Sequence, residues 1–200
     1  MAGILVRARS PEPLPSGVLP APDQLRLVLF PDPILRAPAK PVETITPEVR
    51  AIAGRMIEIM RAEEGIGLAA PQAGLALRIF VCDVPKTPDD EPPTDGSHAW
   101  TEGPVVCINP EFTEFGPARS PFEEGCLSLP GIRGDVVRPE IVRMRATGLD
   151  GTTFEIHASG LLARCLQHES DHLDGILIVD KMSQMSRLRN RTKLKKLKDA

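Results

Sequence analysis

The chain has 200 residues, of which 42% are hydrophobic and 26% charged, with a formal net charge of −3. These values suit one ordinary globular domain with a sizeable core. They exclude a membrane-spanning helix, since no apolar run approaches the ~18–20 residues that a span needs, and four cysteines without a C-x-x-C pair argue against a structural zinc cluster.

Residues 1–24 hold five prolines and little periodicity, which predicts a flexible extension ahead of a domain over 25–180. The run Ile4-Leu5-Val6, closed by Arg7 and Arg9, is too short for a secretory core. Together with the unpaired cysteines this predicts a reducing compartment, bacterial cytoplasm, with an organelle as the alternative. Thr46 followed by Pro47 opens a helix whose apolar stripe is Val49, Ile52, Ala53, Met56, Ile57 and Met60. In Gly65–Gln72 two glycines permit close backbone approach to a ligand, and Gln72 reads either as a ligand-facing amide or as an ordinary loop residue.

Leu77–Val84 and Val105–Pro110 are apolar runs of strand length, which makes Cys82 and Cys107 buried strand cysteines. Cys126 lies between Gly125 and a short strand-like piece ended by Pro130 and Gly131. On chemistry alone it reads equally as a metal ligand or as a packed thiol. Residues 140–148 and 152–158 alternate around Asp150-Gly151, a hairpin signal. Ser159 is the expected N-cap of the next helix, Leu161, Leu162, Cys165, Leu166 and Leu173 its apolar positions, and Gly175 its stop. The layout is α+β: small antiparallel or mixed sheets around a central helix, with an N-terminal and a C-terminal helix.

The central helix carries His168-Glu169-Ser170-Asp171-His172, an H-E-x-x-H motif. At that spacing both imidazoles leave the same helix face, where they can grip a divalent ion while Glu169 reaches an activated water. The plain alternative is an amphipathic helix with two surface histidines. A mononuclear catalytic site needs a third protein ligand and an open position. Cys165 is set apart from His168 in angle and reads as core, so the third ligand comes from elsewhere in the chain.

The C-terminal segment, residues 181–200, holds eight Lys/Arg and one acid, a balance of +7 against −10 for the rest. Met182, Met185, Leu188, Leu194 and Leu197 are interspersed among these charges, which predicts a helix. It reads either as a solvated tail or as a surface for nucleic-acid phosphates. The absence of tyrosine and a single Trp100 argue against base stacking.

Three segments in this order, Gly65-Ile66-Gly67-Leu68-Ala69-Ala70-Pro71-Gln72, Glu124-Gly125-Cys126-Leu127-Ser128 and Gln167-His168-Glu169-Ser170-Asp171-His172, resemble the motifs of the peptide deformylase family. The resemblance runs from about Leu25 to the C-terminus and includes Pro31–Arg36 and Lys40–Val42; residues 85–101 look like a longer loop than many members carry. It implies removal of the N-formyl group from the initiator methionine of new chains. It also implies that Cys126, His168 and His172 hold the metal and that Glu169 takes a proton from water and returns it to the leaving amine. By the same resemblance, Gln72 and the Leu127 N–H stabilise the oxyanion, and Fe²⁺ is the native ion, with Zn²⁺, Ni²⁺ or Co²⁺ as substitutes. The peptide is expected to lie beside Ile66, Gly67 and Gly125 as an added strand, with Arg133 near its backbone and Leu127, Cys165 and the helix face near His168 around the methionine. The task also suggests a ribosomal partner for the basic segment. An H-E-x-x-H endopeptidase would need a downstream His or Glu ligand, and none follows His172. A silent ribosome-binding relative is disfavoured by the intact Glu169 and ligand set.

Overall fold

The structure is a computed structural model that describes residues 19–87 and 93–199. The extension expected over 1–24 therefore falls largely outside the described residues; within it, Pro22–Gln24 form a 3-10 turn and Leu25 begins the core. Helix α1 (Pro47–Ala62) is capped by Thr46, whose hydroxyl accepts from the Val49 N–H at 3.4 Å. Its buried face matches the expected stripe except that Ile59 replaces Ile57.

Strands β1 (Gly67–Ala69), β2 (Ile79–Cys82), β3 (Val105–Phe115), β4 (Arg119–Gly125), β5 (Arg133–Pro139), β6 (Ile141–Thr147) and β7 (Thr153–Ser159) form two antiparallel sheets. The larger has the order β1-β2-β3-β6-β7, and β4 pairs with β5 in the smaller. β2 shows why the large sheet reads as solid apolar runs. Ile79 and Val81 point into the core beneath α1, whereas Phe80 and Cys82 point into the core beneath helix α2 (Gly160–Leu173). Both faces are covered, so the usual alternation of apolar and polar residues is lost.

β3 continues five residues past the expected end at Pro110, through two register shifts beside β6. β4 and β5 had no apolar signal: β4 is mostly solvent-facing, and an inward position of β5 is the charged Arg138. The strand-like piece after Cys126 is instead a turn, closed by the Leu129 N–H donating to the Cys126 carbonyl at 3.0 Å. The Asp150-Gly151 hairpin joins β6 to β7 as expected.

Ser159 stands at the N-cap of α2 but its hydroxyl does not cap the helix. It accepts from the Ser97 hydroxyl at 2.8 Å, while the Ala99 carbonyl takes the Leu162 N–H at 3.3 Å. The long connection after β2 thus docks at the start of α2. Gly175 ends that helix with φ 71°. A short helix α3 (Ile178–Lys181) leads into α4 (Gln184–Asp199), whose Leu194 and Leu197 pack on a third cluster with Leu129, Ile132, Val136 and Met182.

Candidate metal centre and active-site cleft

α2 is the only element that contributes two members of the cluster. The Nε2 atoms of His168 and His172 stand 3.2 Å apart, and the Cys126 Sγ, delivered by the end of β4, lies 3.3 Å from the His172 Nε2. All three donor atoms fall within 4.8 Å of one another. Nitrogens bound to one tetrahedral ion at about 2.0–2.1 Å would themselves stand about 3.3–3.4 Å apart. The soft sulfur and two imidazoles are thus spaced as the ligands of a single divalent cation, and among the described residues this is the one such group.

Beside the cluster Glu169 is 3% exposed, and its Oε2 atom is buried with no partner. Burial is the main cause that lifts its pKa to about 7, with His168 and Arg138 pulling against it. A carboxyl group at this setting is suited to exchanging protons near neutrality. It closely approaches β1 because residue 67 is glycine. A Cβ there would run into the Glu169 carboxylate and stand 2.8 Å from the Cys165 Sγ. Gly65 has a similar role, since a Cβ would lie 2.7 Å from Leu127 Cδ1. Both glycines accommodate the protein's own side chains.

His168 is held from behind. Its Nδ1 lies 3.2 Å from Glu124, which receives a bidentate pair from Arg138 at 2.7 and 2.9 Å. Burial alone would raise the Glu124 pKa, but His168 and Arg138 outweigh it and bring the group to about 2. Arg138 also pairs with Asp171 at 2.7 Å, Asp171 with Lys181 at 2.7 Å, and Arg164 with Glu124 at 3.3 Å. His172 is pushed below the ordinary imidazole range by burial and by His168, which favours its neutral, ligating form.

Gln72 is buried. Its Oε1 accepts from the Ala69 N–H at 2.8 Å, which turns its Nε2 toward Cys126 Sγ at 3.4 Å and Ser128 Oγ at 3.3 Å. Leu127 is half-buried next to Cys126, and Ile66, Gly67 and Gly125 line the same cleft of about 700 Å³. Arg133 also lines it, but is exposed and only 3.8 Å from Glu123. Cys82, Cys107 and Cys165 are free thiols in one buried cluster behind β1.

Sequence reasoning missed the Glu124–Arg138–Asp171 support and the part of the cleft contributed by α4. Glu124 could have been suspected from its place two residues before Cys126. Ser186 and Asn190, four apart in a basic helix, signal a buried polar face.

An α+β domain that gathers a cysteine sulfur, two imidazoles and a buried carboxyl group at one end of a cleft defines a metallohydrolase. Residues 24–188 match the family model described as polypeptide deformylase. The peptide deformylase of Acinetobacter baumannii (strain SDF) is 44% identical over 173 residues, covering 86% of this chain and 91% of that one. The crystal structure of peptide deformylase from Ehrlichia chaffeensis superposes with a TM-score of 0.80 at 36% identity, over 86% of this chain and 95% of that one. A second structure of the Ehrlichia protein, in complex with actinonin, gives 0.77 at 35% identity, over 86% and 96% of the two chains. The chain belongs to the polypeptide deformylase family. It is a hydrolase that removes the N-formyl group from the N-terminal methionine of nascent polypeptides.

Proposed function

We propose that Cys126, His168 and His172 hold a divalent cation, Fe²⁺ in the cell with Zn²⁺, Ni²⁺ or Co²⁺ as substitutes, and that Glu169 does the proton transfer. The observation that carries this is the convergence of three donor atoms beside a buried carboxylate oxygen with no partner. When bound, the ion supplies Lewis-acid activation of water and of the formyl oxygen. Glu169 accepts the proton released as the water oxygen bonds to the formyl carbon. It returns that proton to the methionine nitrogen as the C–N bond breaks, and the second water proton leaves with the carboxyl oxygen and passes to the amine, which releases formate and an ammonium terminus. The Gln72 amide and the Leu127 N–H donate to the oxygen that becomes negative.

β1 ends the large sheet, so its free edge at Ile66–Gly67 takes the peptide as an added strand, with Gly125 across the cleft. Recognition through backbone leaves later side chains weakly read by this edge. Arg133 approaches the peptide backbone from the rim. The protein works in the cytoplasm of a bacterium. The outer face of α4, where Arg191 and Lys195 are exposed, contacts ribosomal phosphates. Among the described residues no helix is long and apolar enough to cross a membrane.

Anaerobically prepared protein should turn over formyl-Met-Ala-Ser and leave the unformylated peptide intact, with one equivalent of metal in the same sample. Stoichiometric metal without formate release would sink the assignment.

A further inference from the structure

The cleft does not end at the metal cluster. Its volume of about 700 Å³ lies in the upper half of the usual range for ligand pockets, about 300–1,000 Å³. That leaves room for several residues of extended chain beyond a single formylated methionine. The far wall is α4, which contributes Ser186, Arg189, Asn190 and Lys193 to the lining.

This wall is firmly built. Asn190 is 5% exposed and donates to the Arg133 carbonyl at 2.7 Å, and the Ser186 hydroxyl accepts from the Asp135 N–H at 3.1 Å. Gly134 lets the helix come close to β5, since a Cβ there would stand 2.9 Å from the Ser186 Cβ. Lys193 donates to the Gly131 carbonyl at 2.9 Å. These bonds set Arg189 and Lys193 on the cleft, one turn apart on a helix that cannot easily swing away.

Their charges are left over. Lys193 has only a neutral carbonyl, and Arg189 has no ion pair or hydrogen bond among the described residues. Arg133 is already opposed by Glu123. Of the other lining acids, Glu124 is taken up by Arg138 and Arg164, and Glu169 faces the cluster, which leaves Glu64 on the rim.

We propose that Arg189 and Lys193 act as a charge filter on the nascent chain, favouring formylated peptides with an acidic side chain within the first few residues after the methionine. The filter rests on the deformylase reading of the site and adds a specificity that a backbone-read strand lacks. Exposed ion pairs are individually weak, so the expected preference is modest, about three- to tenfold in kcat/KM at low salt.

The test is kcat/KM of the metal-loaded full chain on formyl-Met peptides in which Asp, Ala or Lys is scanned through positions two to five. The wild type should rank Asp above Ala above Lys, and the ranking should flatten in about 300 mM salt. Arg189→Glu combined with Lys193→Glu should reverse the order, and Arg191→Glu with Lys195→Glu, on the opposite face of α4, should leave it unchanged. If the double reversal fails to fold, Arg189→Gln carries the same readout, a smaller Asp-to-Lys ratio. Equal rates for the Asp and Lys series at low salt, or an Asp-to-Lys ratio that loss of Arg189 leaves unchanged, overturns the filter alone. No turnover of any formylated peptide overturns the deformylase reading and the filter with it.

Discussion

Glu169 is buried against β1 with one oxygen free of any partner, and it is not among the three converging donor atoms. Proton transfer and metal retention should therefore separate. Glu169→Ala is expected to keep stoichiometric metal by elemental analysis while turnover falls at least ~10²-fold, the usual cost of losing a general base. Cys126→Ser should do the opposite. A neutral hydroxyl is a poor ligand, so metal content should collapse, while Cys107→Ser, in the buried apolar cluster and not among the converging donors, costs stability and leaves the site loaded. Gly67 gives a third test at this scale. Gly67→Ala would press a methyl group against Glu169 and Cys165, and turnover should fall more than about tenfold with metal retained. Gly54→Ala, in α1 where a Cβ meets nothing within 4 Å, should add about 0.5–1 kcal/mol of stability and leave turnover alone.

Among the elements, α4 departs most from what its charges suggest. A run with eight Lys/Arg in residues 181–200 reads naturally as a solvated tail, and removal from Arg187 onward would then be harmless. The structure buries Ser186 and Asn190 against β5 and lays Leu194 and Leu197 on the core. Asn190→Ala should cost roughly 1–3 kcal/mol, because the Arg133 carbonyl loses its buried donor; the midpoint of urea unfolding measures it. Deleting residues from Arg187 onward should lower that midpoint further, so ribosome binding is better tested by Arg191→Glu with Lys195→Glu, both exposed. Association that falls with salt in the wild type and is lost in this variant supports contact with phosphates. Binding unchanged by the double reversal at low salt would exclude it.

Across the whole molecule, ion pairs tie the ends of the chain together. Arg36, in the 3-10 helix Pro33–Arg36, bonds Asp180 in α3, and Asp180 also accepts from the Leu177 N–H at 2.9 Å. Burial alone would raise the Asp180 pKa, but the bonds to Arg36 and the Leu177 N–H lower it overall. A carboxylate with a depressed folded pKa adds stability that is present above its unfolded pKa, about 3.9, and lost as the pH falls through the folded value. Asp180→Asn should therefore lower the urea midpoint at pH 7, and the gap from wild type should narrow steadily below about pH 4. A gap that stays constant down to pH 3 would show that the pair contributes nothing.

The local signals were legible because they are local. Thr46-Pro47 fixes the start of α1, Asp150-Gly151 the hairpin, Gly175 the end of α2, and the i, i+4 spacing of His168 and His172 a shared helix face. The three motif segments carried the family resemblance without any knowledge of contacts. Apart from that resemblance, residue chemistry left Cys126 open between ligand and packed thiol. Tertiary structure decided that it meets the histidines, because Cys126 is 46 residues from His172 and the β4–β5 sheet carries it there. It also decided that the Ser97–Ala99 loop, rather than the Ser159 hydroxyl, serves the start of α2, and that Arg138 is buried to hold Glu124. Periodicity reports whether a side chain faces in or out along one element. It cannot report which distant element lies opposite, and in this protein the thiolate, the support behind His168 and the basic wall of the cleft all arrive from such distant elements.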